Sequence, residues 1–157
     1  MNDAIQASEK VFATLISAIE ALGYTYEKKS ERQIAFTATG NDIPMNFCVE
    51  VNCDKQIVVL YSFLPLEADR SVAGVMALAV CSINYRLADG SFDYSIPTGK
   101  IAFRMTANYR DSEIGKELLD YMIRCSIMTV DRYNDKLLML SRGLMTLDEF
   151  SEEIGFQ

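Results

Sequence analysis

Apolar residues recur along this chain at two alternating periods, and each switch of period marks a new element. Ile5, Phe12, Leu15, Ile16, Ile19 and Leu22 fall at helical intervals, with Glu9, Lys10, Ser17 and Glu20 turned away from that stripe. Asp3 and Gln6 have the spacing of a capping box, and Gly23 is placed to end the helix in a left-handed turn. Beyond Gly23 the period becomes two. Tyr24 and Tyr26 alternate with Thr25 and Glu27; Ile34, Phe36 and Ala38 alternate with Gln33, Ala35 and Thr37. Met45, Phe47, Val49 and Val51 share one face, and Ile57, Val59, Tyr61 and Phe63 follow beyond Asp54-Lys55. Turn residues at 29–32 and 40–42 separate these runs, which predicts an antiparallel meander with one packed face.

A second helix is expected from about Asp69 to Leu87, with Val72, Val75, Met76, Ala79, Val80, Ile83 and Leu87 on its stripe. Asp89-Gly90 turns out of it. Phe92, Tyr94 and Ile96 alternate, Pro97-Thr98-Gly99-Lys100 reverses the chain, and Ile101, Phe103, Met105 and Ala107 run back as a second hairpin. A long helix then starts near Asp111 or Ser112. Its stripe is Ile114, Leu118, Met122, Cys125, Tyr133, Leu137, Leu140 and Leu144, and Leu119, Ile123, Ile127 and Val130 lie beside the first half. Gly143 is a stop. Thr146 and Glu149 form a second capping box, flanked by Met145 and Phe150 as a hydrophobic staple, so a short terminal helix follows. The expected fold is α+β. It is an antiparallel sheet packed against helices, in the order helix, three-strand meander, helix, hairpin, long helix, with Tyr24–Lys29 as an extra run or part of the first strand. No repeat or linker divides residues 1–157, which read as a single domain.

Composition narrows the function by subtraction. Half of the 157 residues are hydrophobic, enough for one sizeable core. The chain has no histidine, which removes imidazole as a base, switch or metal ligand, and leaves a cysteine nucleophile without its usual partner. Cys48, Cys53, Cys81 and Cys125 have no zinc-site spacing and read as free thiols. A net charge of −7 argues against a nucleic-acid surface, and no apolar run is long enough to span a bilayer. With no secretory signal at Met1–Gln6, the expected location is cytoplasmic. No Gly-rich phosphate loop occurs; Asp89, Asp93 and Asp111 near the hairpin read as turn and cap residues rather than acid–base or Mg²⁺ carboxylates. No cofactor, metal or catalytic residue is expected.

The second half carries a family resemblance. The stretch Ile83-Asn84-Tyr85 to Gly90-Ser91-Phe92-Asp93-Tyr94 resembles the helix ending in Asn and the Gly-x-Phe motif of the bacterial YbjN family. Gly99-Lys100-Ile101-Ala102-Phe103-Arg104 resembles that family's Gly-x-Ile/Val-x-Phe-Arg strand. Tyr133, Leu137, Gly143, Thr146 and Glu149 are similar to its last helix and cap. The resemblance implies a fold like that of type III secretion chaperones, and a family labelled as sensory-transduction regulators whose fold relatives are dimeric chaperones.

The expected function is therefore a non-enzymatic, chaperone-like or regulatory protein-binding module. It acts as a homodimer with an unidentified protein partner, and with neither nucleic acid nor membrane. The alternative is a ligand-sensing regulatory domain with a small pocket between sheet and helices. Tyr133, Leu137, Leu140 and Leu144 are the candidate partner or dimer surface, because a helix of about thirty residues outruns a small sheet; the rival reading is that the short terminal helix folds back over them, with Phe150 and Ile154 covering them within one chain. Asn84 and Arg104 are candidate structural or ligand-binding polar residues. Tyr61, Phe63, Tyr94 and Tyr109 are candidates to border a peptide groove.

Overall fold

In a computed structural model, which describes residues 2–155, the chain runs α1 (Asn2–Ala21), β1 (Tyr26–Ser30), β2 (Gln33–Ala38), β3 (Met45–Asn52), β4 (Ile57–Glu67), α2 (Ala73–Asn84), β5 (Ser91–Tyr94), β6 (Lys100–Asn108), α3 (Lys116–Ser141) and α4 (Leu147–Gly155). The strands form one antiparallel sheet in the order β1-β2-β3-β4-β6-β5. Fold class and element order match the reading of the sequence. The run after Gly23 is resolved as a strand of its own, with Tyr26 opposite Phe36.

The termini of the helices follow local chemistry. Gly23 (φ 79°) and Gly143 (φ 68°) take the left-handed conformation that ends α1 and α3, and Tyr24 N–H and Leu144 N–H donate to the carbonyls of Ile19 and Met139. Thr146 N–H donates to Glu149 Oε2 at 2.7 Å, while Glu149 N–H donates to Thr146 Oγ1 at 3.2 Å. That is the expected capping box, and it holds the Glu149 carboxyl below its usual range. Two starts differ from expectation. Asp3 lies inside the first turn of α1 rather than capping it. α3 begins at Lys116, because the segment before it is irregular, with Asp111 at φ 56°. At 26 residues α3 is ~39 Å long, shorter than expected.

All four helices serve one core. α1 packs on α3 and β3, α3 crosses β3, β4 and β6, and α2 lies against β5 and α4. The sheet side of this core is fixed by register. Ile34, Val49, Leu60 and Met105 form one row across four strands; Phe36, Phe47, Ser62, Phe103 and Phe92 form the next. This corrects the expected face of β4. Val59 and Tyr61 pair with Glu50 and Cys48 on the far side, and Val58, Leu60, Ser62 and Leu64 point to the helices. The strand is apolar on both sides, so alternation alone did not settle which side faces in.

The terminal helix brings a second correction. Phe150 and Ile154 of α4 join the same cluster as Tyr133, Leu137 and Leu140 of α3, all of them buried within the one chain. Tyr133 meets Phe92 edge to face at 6.0 Å. Those three residues are thus core, and only Leu144 of the expected surface is exposed. A stripe on a long helix shows that one face is covered. Here the cover comes from within the chain: α1, the sheet, α2 and α4 all pack on α3.

Candidate functional site

The side of the sheet away from the helices is uncovered by any other described element. Its rows follow from the pairing: Gln33–Glu50–Val59–Thr106, then Ala35–Cys48–Tyr61–Arg104–Ser91, then Phe63–Ala102–Asp93. Val59 and Ala102 are nearly covered by neighbouring side chains yet lie outside the core cluster. Phe63 is 61% exposed and stacks on Tyr61, the rings 6.1 Å apart. Around this apolar centre stand polar pairs. Thr37 Oγ1 donates to Asn46 Oδ1 at 2.9 Å, and Arg104 donates to both oxygens of Asp93, at 2.7 and 3.2 Å. The hydrogen bond and charge of Asp93 hold the Arg104 guanidinium still more firmly protonated. Burial pushes the Cys48 thiol up, which makes it a poor nucleophile. The surface has the anatomy of an interface, an apolar centre with a polar rim of both signs.

Asn84 is placed differently. Its amide donates to the Phe92 carbonyl at 2.9 Å and accepts from Phe92 N–H at 2.8 Å, which ties the end of α2 to β5. Arg104 is on the open sheet face, as strict alternation from Ile101 and Phe103 implies. The four candidate aromatics do not meet in one groove. Tyr61 and Phe63 stack on the open face, Tyr94 lies on the helix side, and Tyr109 is buried with its hydroxyl donating to the Asn52 carbonyl. Asp89 and Asp93 also part company, to Tyr121 and Arg104 respectively. Among the described residues no group of three or more Cys, Asp and Glu is arranged to hold a metal. The four cysteines are unpaired, and no described helix is long and apolar enough to cross a membrane.

Between sheet and helices, Phe47, Leu60, Phe103, Leu119 and Ile123 are buried in one core cluster. A groove of about 470 Å³ lies on the outer side of α3, walled by Arg86 and Leu87 beyond α2 and by Ile154 of α4. Tyr121, Arg124, Cys125, Met128 and Arg132 line it from α3. Sequence reading missed it because its walls come from three separate helical regions. The helical spacing of Tyr121, Cys125, Met128 and Arg132 was the available signal. At one end the Tyr121 hydroxyl donates to Asp89. That bond, with the nearby Cys125 thiol, pushes the phenol up to about 12.

Comparison with known proteins bears on these surfaces. A family model described as "YbjN: Putative bacterial sensory transduction regulator" matches residues 12–139. The chain belongs to the YbjN family. The match runs from α1 nearly to the end of α3, so the whole sheet is part of the YbjN pattern, while α4 lies beyond it. Among solved structures, the crystal structure of "YbjN, a putative transcription regulator from E. coli" aligns with a TM-score of 0.55 at 12% identity, covering 84% of this chain and 90% of that one. At that identity the likeness is one of fold. No curated protein matches the chain. Neither the family model nor the E. coli structure bears on the expected likeness to type III secretion chaperones.

Proposed function

We propose that this YbjN-family chain is a non-enzymatic cytoplasmic binding protein with a regulatory or chaperone-like role, and that it works as a homodimer through its open sheet face. The observation that carries this reading is the apolar centre of that face. There Phe63, 61% exposed, stacks on the half-buried Tyr61, beside Val59 and Ala102, which are themselves buried. A second copy suits it, because Glu50, Asp93 and Arg104 supply both charge signs on one face, as a self-complementary contact requires. The family description and that of the E. coli structure support a regulatory role, and the net charge of −7 favours a protein partner over nucleic acid. Sedimentation velocity on wild type and Phe63→Asp tests it. The expected result is a dimeric wild type and a folded, monomeric variant. A monomeric wild type at micromolar concentration refutes the homodimer, and a variant that remains dimeric refutes the sheet face as its interface.

A further inference from the structure

The groove on α3 differs from the sheet face in its chemistry. Every charged side chain lining it is an arginine: Arg86, Arg124 and Arg132, in a chain where 22 acidic residues outnumber 15 basic ones. Its apolar lining is Leu87, Cys125, Met128, Tyr133 and Ile154. Met128 among these is 73% exposed. Along α3 the lining runs from Tyr121 to Tyr133, a length of ~18 Å at the helical rise.

The arginines are held in ways that leave donors free. Arg132 lies over the Tyr133 ring, 5.4 Å from its centroid, and has no ion-pair partner among the described residues. Stacking fixes the plane of a guanidinium while its edge remains open to an oxyanion. Arg124 spends Nε on Asp120, one turn back on α3, at 2.8 Å. That bond aims its fork without using its terminal nitrogens. Arg86 reaches over from beyond α2 toward Gly155 at the end of α4.

We infer that this groove binds a small amphiphilic anion, a carboxylate or phosphate joined to an apolar body. The anion meets the arginine forks and the body lies over Met128 and Leu87. Charge complementarity selects the anion, and the volume falls within the roughly 300–1,000 Å³ usual for small-molecule sites. The inference stands apart from the sheet-face reading, since the two surfaces share no residue.

The probe is the amphiphilic anion 8-anilinonaphthalene-1-sulfonate, whose fluorescence rises in an apolar site, with decanoate as competitor and the neutral N-phenyl-1-naphthylamine as control. Saturable binding of one dye per chain is expected, displaced by decanoate and at least about tenfold tighter than the neutral control, the lower end for a charge-assisted hydrogen bond. Arg124→Gln with Arg132→Gln should weaken it by at least a similar factor. Met128→Glu, at an exposed position that leaves the core intact, should abolish it, whereas Met128→Lys should retain it. Phe63→Asp should leave it unchanged, which separates the groove from the sheet face. Equal affinity for the neutral dye, or undiminished binding by Met128→Glu, overturns the inference. Displacement by an acidic amphipathic peptide at lower concentration than by decanoate also overturns it, and assigns the groove to a protein partner.

Discussion

Two phenylalanines on neighbouring strands offer a direct test of which side of the sheet is which. Phe103 on β6 sits between Ser62 and Phe92 on the helix side, fully buried. Its ring meets Phe92 edge to face at 5.2 Å and lies so close over Gly90 that a Cβ there would fall 2.3 Å from its Cζ. Truncation to alanine removes a ring walled on several sides by strand and turn, so little collapse can fill the space. The cost should be about 3–5 kcal/mol, of which roughly 0.5–1.5 is the lost aromatic pair. For a chain of this size each kcal/mol lowers Tm by about 2–4 °C, so Phe103→Ala should melt some 6–20 °C below wild type. Phe63 on β4 is the same side chain on the opposite side, 61% exposed, with Tyr61 its stacking partner. Phe63→Ala should cost under about 1 kcal/mol in the dilute protein. Thermal melts followed by circular dichroism at low and high protein concentration make the comparison. If the sheet face joins two copies, the Phe63→Ala deficit grows with concentration and the Phe103→Ala deficit does not. Equal deficits for the two variants at low concentration would refute the assignment of faces.

Asn84→Ala should destabilise by about 1–3 kcal/mol, since it orphans the Phe92 N–H and carbonyl together; an unchanged melting temperature would show that the α2–β5 tie contributes nothing. Tyr121 should ionise late, with a midpoint near 12 read as the difference in tyrosinate absorbance between wild type and Tyr121→Phe, and Asp89→Asn should bring it down toward 10.0. The folded phenol holds its proton more tightly than the unfolded one, so its stabilising contribution is complete below pH 10.0 and is lost as pH rises toward about 12; ionisation near 10.0 in wild type would refute the Asp89 bond.

Helices, strands and their order were legible in the sequence because burial on one side imposes a period, and the period survives without knowledge of the partner. Which partner does the burying was not legible. The stripe of Tyr133, Leu137 and Leu140 correctly marked a covered face, and the cover is the chain's own core, which Phe150 and Ile154 of the terminal helix join. The same limit applied to β4. From Ile57 to Tyr61 every position is apolar, so either set of alternate residues could face the helices, and the choice rests on pairing with β3 and β6. Asn84 was legible as a tie between helix and hairpin, since an amide near the end of an apolar face needs backbone groups close by. The arginine groove was not, because Arg86 joins Arg124 and Arg132 only after α2 and α3 have packed.

The exception in β4 bears on function through its confinement to one strand. In β2 and β3 the outward positions are Gln33, Ala35, Thr37, Asn46, Cys48 and Glu50, polar or small as expected of a sheet whose second side meets water. In β4 they are Val59, Tyr61 and Phe63, and that strand lies centrally, between β3 and β6. The core is closed by Val58, Leu60, Ser62 and Leu64 on the other side, and of the three outward residues Val59 is buried, Tyr61 half-buried and Phe63 exposed. A strip made of the stacked Tyr61 and Phe63 rings, in the middle of a largely polar face, is apolar surface of the kind that marks a contact site. The strip is narrow, rimmed by charges of both signs and backed by a rigid sheet. A partner surface therefore finds it already formed, with little ordering left to oppose binding.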